Sequence, residues 1–91
     1  MHMHNPPHPG EFISTTYLEP FAISVRYLAK HLKVAASTLH RIINGSSAIS
    51  PDMACRLSAV LGRSAESWLL MQAQYDLSQI KEPKLKRIHF D

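Results

Sequence analysis

The fold of this chain is decided by the stretch Val25–Asn44, which reads VRYLAKHLKVAASTLHRIIN. Its apolar residues recur at the spacing of two short amphipathic helices, one with a stripe of Leu28, Ala29 and Leu32, the other with Leu39, Ile42 and Ile43. Val34 lies between the stripes, where it would fill the angle between the helices. Asn44-Gly45 supplies a stop, because glycine adopts the left-handed conformation that closes a helix. The stretch therefore predicts a helix-turn-helix, the unit that places its second helix in the major groove of DNA.

Start and stop signals N-terminal to this stretch predict one more helix. It begins at Pro9 and reaches about Leu18, because Pro20 disfavours a helical conformation in the residue before it, Glu19. Ser24 is a good N-cap for the next helix, about 25–32, and the following helix covers about 36–44. Residues 1–8 are rich in Pro and His and are predicted to form a flexible arm.

Signals C-terminal to the stretch predict two further helices. Ser50-Pro51-Asp52 combines a capping serine, a proline at the first helical position and an acid in the first turn, and this helix continues to Leu61. Ser64 caps a last helix that ends before Pro83. The prediction is an all-α chain of five helices, with a helix-turn-helix domain at 9–82 and a tail at 83–91, in which Lys84–Asp91 is either a short strand or irregular.

Size and composition limit the class of protein. The 91 residues form one domain, and the single cysteine, Cys55, excludes a disulfide within the chain, so a reducing compartment such as the cytoplasm is expected. No apolar run approaches the roughly 20 residues of a membrane span. The start, MHMHNPPHPG, lacks the basic and apolar regions of a secretory signal.

Positive charge concentrates on the predicted helix-turn-helix. The formal net charge is only +3, but residues 21–49 contain four basic residues and no acidic residue: Arg26, Lys30, Lys33 and Arg41. This distribution is typical of a surface that faces phosphates. The alternative is a solvated helix face that happens to be basic, with Arg41 in a surface ion pair.

Candidate DNA contacts follow from the start of the second helix of the motif and from its flanks. Arg41 can bond a guanine edge or a phosphate, and other side chains of this helix can bond bases or touch a thymine methyl; the candidates are Ala35, Ala36, Ser37, Thr38 and His40. The candidates for phosphate contact are Ser24, Arg26, Lys30, Asn44, Ser46 and Ser47.

Other chemistries have little support. His2, His4 and His8 cluster near the N-terminus, but no cysteine or carboxylate accompanies them at ligand spacing, so no metal site is predicted. Cys55 has no base or electropositive surroundings in the sequence and is expected to be a packing residue. There is no nucleophile motif, paired-carboxylate site or cofactor motif, so the chain is predicted not to be an enzyme and to bind no cofactor.

A partner chain is predicted from what the motif requires. One helix-turn-helix covers half of a typical operator, and two copies must present their helices about 34 Å apart. The last helix and the tail are the expected site of a homodimer contact. Trp68 and Tyr75, at helical spacing, are expected in the core or at that interface rather than in a ligand-binding platform.

The pattern as a whole resembles the HigA-type antitoxins, within the Xre/Cro-like helix-turn-helix group. The resemblance covers about residues 5–80 and rests on short motifs in this order: Asn5-Pro6-Pro7-His8-Pro9-Gly10-Glu11, Leu18-Glu19-Pro20, Ser37-Thr38-Leu39, Asn44-Gly45, Ile49-Ser50-Pro51-Asp52-Met53-Ala54, Arg56-Leu57, Leu61-Gly62, Trp68-Leu69 and Tyr75-Asp76-Leu77. It implies a lambda-repressor-like fold of five helices, a dimer, repression of its own operon, and neutralisation of a HigB-like toxin that cleaves mRNA.

The sequence departs from the family pattern at the DNA-facing motif. Val25 stands where the family often has a phosphate-contacting Gln, Ala35 and Ala36 where Ser and Arg are frequent, and Lys33 where Gly is usual. Two alternatives to the antitoxin therefore stay open. One is a free-standing Xre-like regulator, and the other is a protein-interaction module whose DNA face has decayed.

Overall fold

The structure, a computed structural model, describes residues 5–90 and is all-α in that range. It contains five α-helices and one π-helical turn, and no β-strand among these residues. The helices are α1 (Pro9–Ile13), α2 (Val25–Leu32), α3 (Ala36–Ile43), α4 (Pro51–Leu61) and α5 (Ala65–Ser78), and the π-helical turn Ser14–Leu18 continues α1. The predicted fold class is confirmed.

Three serines begin helices as predicted. Ser24, Ser50 and Ser64 each have extended backbone, and each side chain accepts a hydrogen bond from the backbone N–H three residues on, at 3.0–3.1 Å. Such a cap stabilises a helix by about 1 kcal/mol. The starts of α2, α4 and α5 are therefore encoded locally.

The end of α5 differs from the prediction. The helix stops at Ser78 rather than about residue 82, and Ser78 Oγ donates to the Tyr75 carbonyl at 2.6 Å. Beyond Tyr75 the apolar side chains no longer reach the core, because Leu77 and Ile80 are largely exposed. Without an apolar face to bury, little favours another helical turn. Residues 81–90 are exposed and irregular, so the strand considered for Lys84–Asp91 does not form in the part that the structure describes.

The core brings all five helices together around the predicted stripes. Leu28, Ala29 and Leu32 of α2 and Leu39 and Ile42 of α3 are buried, with Val34 half-buried between them. Trp68 is fully buried, and its Nε1 donates to the Gly62 carbonyl at 3.0 Å. The ring is thus part of the core, and Tyr75 is half-buried on the same face.

The predicted flexible arm is packed where the structure describes it. Pro6 and His8 are buried, and His8 Nδ1 accepts from Gly10 N at 2.9 Å to cap α1. The arm was predicted flexible because Pro and His usually mark loose termini, but here they are covered by neighbouring elements. His2 and His4 lie outside the described residues.

Candidate nucleic-acid interface

The turn of the helix-turn-helix is closed by a lysine in the left-handed region. Lys33 has φ 58° and ψ 45°, and its backbone N–H donates to the Lys30 carbonyl at 3.2 Å. Val34 N then donates to the Ala29 carbonyl at 3.1 Å. A side chain makes this conformation about 1 kcal/mol less favourable than it is for glycine. Lys33, which stands where glycine is usual, therefore introduces backbone strain at the turn.

Arg56 holds the same turn from α4. Its Nη1 donates to the Leu32 carbonyl at 2.8 Å and makes a longer bond, 3.4 Å, to the Lys33 carbonyl, while its Nε donates to Asp52 at 2.8 Å. The guanidinium thereby satisfies carbonyls that the end of α2 leaves without helical partners. The role of Arg56 in holding this turn was not predicted from the sequence. The spacing of Asp52 and Arg56 indicates an ion pair within α4, but it does not indicate a contact with a residue 24 positions away.

The recognition helix α3 buries one face and presents the other. Leu39 and Ile42 hold it to the core, whereas Ser37, His40 and Arg41 are exposed. Ala36 and Thr38 are half-buried at the edge of that face. The exposed candidates on α3 therefore lie on one solvent-facing surface, whereas Ala36 and Thr38 are partly covered.

The start of α3 has no side-chain cap. Ala35 is the N-cap residue, and in the absence of a hydroxyl or carboxylate there the first N–H groups of α3 have no capping side chain. The cost relative to Ser or Asn is about 1 kcal/mol. Ala35 and Ala36 also bring short apolar side chains to the position where longer polar ones would read bases.

The phosphate candidates on α2 lie at both of its ends. Ser24 Oγ accepts from Tyr27 N at 3.1 Å, and its hydroxyl hydrogen can still donate to a phosphate. Exposed Arg26 follows in the first turn, so these two residues lie at the positive end of the helix dipole, which favours an anion. Lys30 is exposed too, but it lies in the last turn of α2.

The candidates after α3 are largely engaged with one another. Asn44 Oδ1 accepts from Ser46 N at 3.1 Å and from Ser46 Oγ at 2.7 Å, and Ser46 N also donates to the Arg41 carbonyl at 2.9 Å. Ser47 N donates to that carbonyl too, at 3.1 Å. Asn44 and Ser46 therefore build the loop that ends α3, and the Asn44 amide nitrogen and the Ser47 hydroxyl are the groups with capacity left for a phosphate.

The basic face of α2 and α3 is not neutralised by acids of the described chain. Within residues 5–90 the one ion pair joins Arg56 and Asp52, so Arg26, Lys30, Lys33 and Arg41 form none there. The surface ion pair considered for Arg41 is not formed with any acid of residues 5–90. Exposed cations without an acidic partner in this range favour a polyanionic partner.

The remaining chemistry of the described residues is sparse. Cys55 is exposed rather than packed in the core, contrary to the prediction, because it lies on the outer side of α4. Across residues 5–90 no three potential metal ligands lie together. No helix in that range is long and apolar enough to cross a membrane.

Comparison with known proteins agrees with this geometry. A family model described as helix-turn-helix, HTH_3, matches residues 16–68. The chain is 40% identical to the Pseudomonas aeruginosa antitoxin HigA solved with the higBA promoter, with 81% of this chain and 80% of that one covered and a TM-score of 0.77. The chain belongs to the helix-turn-helix family, among its HigA-type members.

Two curated relatives of this HigA-type chain extend the comparison. Virulence-associated protein A' of Dichelobacter nodosus is 46% identical over 88% of this chain and 70% of its own length. Antitoxin HigA-1 of Vibrio cholerae is 37% identical over 75% of this chain and 64% of its own length. Members of this family are DNA-binding regulators and antitoxins rather than enzymes.

Proposed function

We propose that this protein is an antitoxin that represses its own operon by binding operator DNA and neutralises a HigB-like toxin. The single observation that carries the proposal is the likeness, at 40% identity and a TM-score of 0.77, to a HigA antitoxin solved with its promoter. The exposed, acid-free face of α2 and α3 supports the DNA-binding half of the function independently. The toxin half rests on the family.

Contacts to DNA divide into two groups in this proposal. Base and groove contacts come from α3, through Arg41, His40, Ser37, Thr38 and the Ala36 methyl. Phosphate contacts come from Ser24, Arg26 and Lys30 on one side and from Asn44 and Ser46 on the other. The first group sets sequence preference, whereas the second fixes the position of the protein on the duplex.

The protein acts as a homodimer through its C-terminal region in this proposal. Two recognition helices about 34 Å apart are needed to read two half-sites in adjacent turns of the major groove. α5 leaves Leu70 and Leu77 58% exposed, and Ile80 follows at 66%. Burying such side chains against a second copy would supply the apolar area that a dimer needs. In this proposal the protein acts in the cytoplasm, where it would meet both its operator DNA and an mRNA-cleaving toxin.

The first experiment compares binding to the protein's own upstream DNA with binding to a scrambled duplex, titrated across salt. A repressor binds its operator at least about a thousandfold more tightly. Equal and steeply salt-dependent binding to both duplexes would contradict sequence-specific repression. That result would favour the interaction module suggested by the uncapped Ala35 start of α3.

A second experiment separates an antitoxin from a free-standing regulator. Co-expression with the product of the neighbouring toxin-like reading frame is expected to restore growth and to yield a co-purifying complex. A neighbourhood without such a frame, together with specific operator binding, would favour the regulator.

A further inference from the structure

His8 lies where three elements of the fold meet. Its Nδ1 accepts from Gly10 N at 2.9 Å at the start of α1, and its ring stands edge-on to Tyr75 of α5, with centroids 4.9 Å apart and planes at 81°. The third element is the loop after α3, where the ring lies near the Ser47 backbone and faces Gly45, with its Cγ 4.0 Å from the position that an added Cβ would take. Only 6% of the residue is exposed.

This contact reaches the recognition helix through the loop. The Ser47 and Ser46 N–H groups both donate to the Arg41 carbonyl, so the loop is attached to the last turn of α3. Two residues after His8, Gly10 lies against the backbone of Ile42, where an added Cβ would overlap the carbonyl oxygen. The start of α1 and the end of α3 are therefore held together at two successive points.

The imidazole must carry no proton on Nδ1 in order to accept the hydrogen bond from Gly10 N. A protonated ring has a hydrogen on both nitrogens and cannot accept from Gly10 N. Burial lowers the pKa of His8, and this effect outweighs the raising effects of the Asp76 carboxylate on α5, the Ser47 backbone and the Glu11 carboxylate on α1. These are the charged and hydrogen-bonding groups that act on the ring from the elements around it.

We propose that His8 is a positioning residue for DNA binding: its neutral ring joins α1, the loop after α3 and α5, and operator affinity falls when the ring takes up a proton. The inference rests on the operator binding proposed above. In this role the His8 side chain couples α5 to the end of the recognition helix α3, although α5 contains none of the candidate DNA-contacting residues.

Two variants of the full-length chain separate the parts of this role. His8→Asn keeps a side-chain acceptor that caps helices well but does not titrate. His8→Phe keeps an aromatic ring against Tyr75 but has no acceptor. The other histidines are the same in all three chains, so the ratio of operator affinities between wild type and His8→Asn isolates the proton on His8.

Operator affinity is measured for the three chains between pH 7.5 and pH 5, with the folded fraction followed by circular dichroism in the same buffers. A proton that must leave before binding weakens affinity up to tenfold per pH unit below the pKa of His8, so we expect the wild-type affinity to fall relative to that of His8→Asn as the pH drops toward 5, by a factor that grows with each step in pH. We expect His8→Phe to bind about tenfold more weakly than wild type at pH 7.5, and to do so while folded.

Each other outcome is decisive. A wild-type to His8→Asn ratio that is independent of pH overturns the proposal, as does a ratio that changes only as much as the folded fraction. Wild-type affinity from His8→Phe overturns it too. Failure of wild type itself to prefer its operator at pH 7.5 would overturn the proposed function instead.

Discussion

The guanidinium of Arg56 donates a 2.8 Å hydrogen bond to the Leu32 carbonyl, so a residue of α4 closes the end of α2 at the turn of the DNA-binding motif. The same guanidinium is held by Asp52 on its other edge. The angle between α2 and α3 therefore depends on a third helix as well as on the turn itself.

Arg56→Ala is expected to lower the free energy of unfolding by about 1–3 kcal/mol, because the partly buried Leu32 carbonyl loses a charge-assisted partner. Urea unfolding measures the change. Asp52→Asn is the control: it removes the exposed ion pair and the acid in the first turn of α4 but keeps the bond to Leu32, and it is expected to cost about 1 kcal/mol or less. Equal losses in the two variants would mean that the bond to Leu32 contributes nothing measurable.

Gly10→Ala is expected to destabilise the protein by about 3 kcal/mol or more, because the new Cβ would overlap the Ile42 carbonyl and lie 2.8 Å from Ile43 Cα. Backbone atoms cannot move aside as a flexible side chain does. The exposed neighbour supplies the control, since Glu11→Ala is expected to change the melting temperature little. A Gly10→Ala chain with the wild-type melting temperature would contradict the close packing of α1 on α3.

Lys33→Gly and Lys33→Ala separate backbone strain from charge at the turn. Both remove the ammonium, but only glycine relieves the left-handed conformation at φ 58°. We expect the glycine variant to be more stable than the alanine variant by about 1 kcal/mol in urea unfolding. Both are expected to bind DNA with a flatter salt dependence if Lys33 contacts phosphate. Equal stability of the two would argue against strain at this turn.

Arg41→Ala and Arg26→Ala are expected to weaken DNA binding in different ways. Loss of a base contact at Arg41 costs about 1–3 kcal/mol on the operator and relaxes sequence preference. Loss of a phosphate contact at Arg26 weakens binding to all duplexes alike and lowers the salt slope by about one. Titrations on operator and scrambled duplexes at several salt concentrations distinguish the two. Unchanged operator affinity for Arg41→Ala would remove it from the contacts.

Stability is expected to fall in mild acid because of His8. Its pKa is lowered on folding, chiefly by burial, so between that value and the unfolded value of about 6.5 the unfolded chain binds more protons. The contribution is fully present above pH 6.5 and is lost as the pH falls through the lowered pKa. Urea midpoints across this range check the sign. The His8→Asn chain should show a shallower decline, and an identical decline would assign the effect to other groups.

The features that could be predicted from the sequence are those that depend on interactions between residues close together in the chain. Ser24, Ser50 and Ser64 cap helices through bonds that span three residues, and the spacing of Leu39 and Ile42 defines a buried face within one helix. Both kinds of signal depend only on helical geometry. The five-helix fold, and the exposed positions of Arg41 and His40, followed from them.

The misses are contacts between residues far apart in the chain. Arg56 reaches Leu32 across 24 positions, and burial of His8 depends on Tyr75, far along the chain in α5. Hydrophobic periodicity within a helix does not reveal that Leu32 is the partner of Arg56 or that Tyr75 is the partner of His8. One further miss is local: Cys55 was expected to be a packing residue, yet it lies on the exposed side of α4, whereas its neighbours Ala54 and Leu57 are buried.

The contact of Gly10 with the Ile42 backbone limits how the DNA preference of this protein can be changed. Because the end of α3 lies directly against the main chain of α1, the helix has no room to tilt. A new operator preference would therefore have to come from substitutions on the outer face of α3, around Ser37 and Arg41, with the angle between α3 and the DNA unchanged.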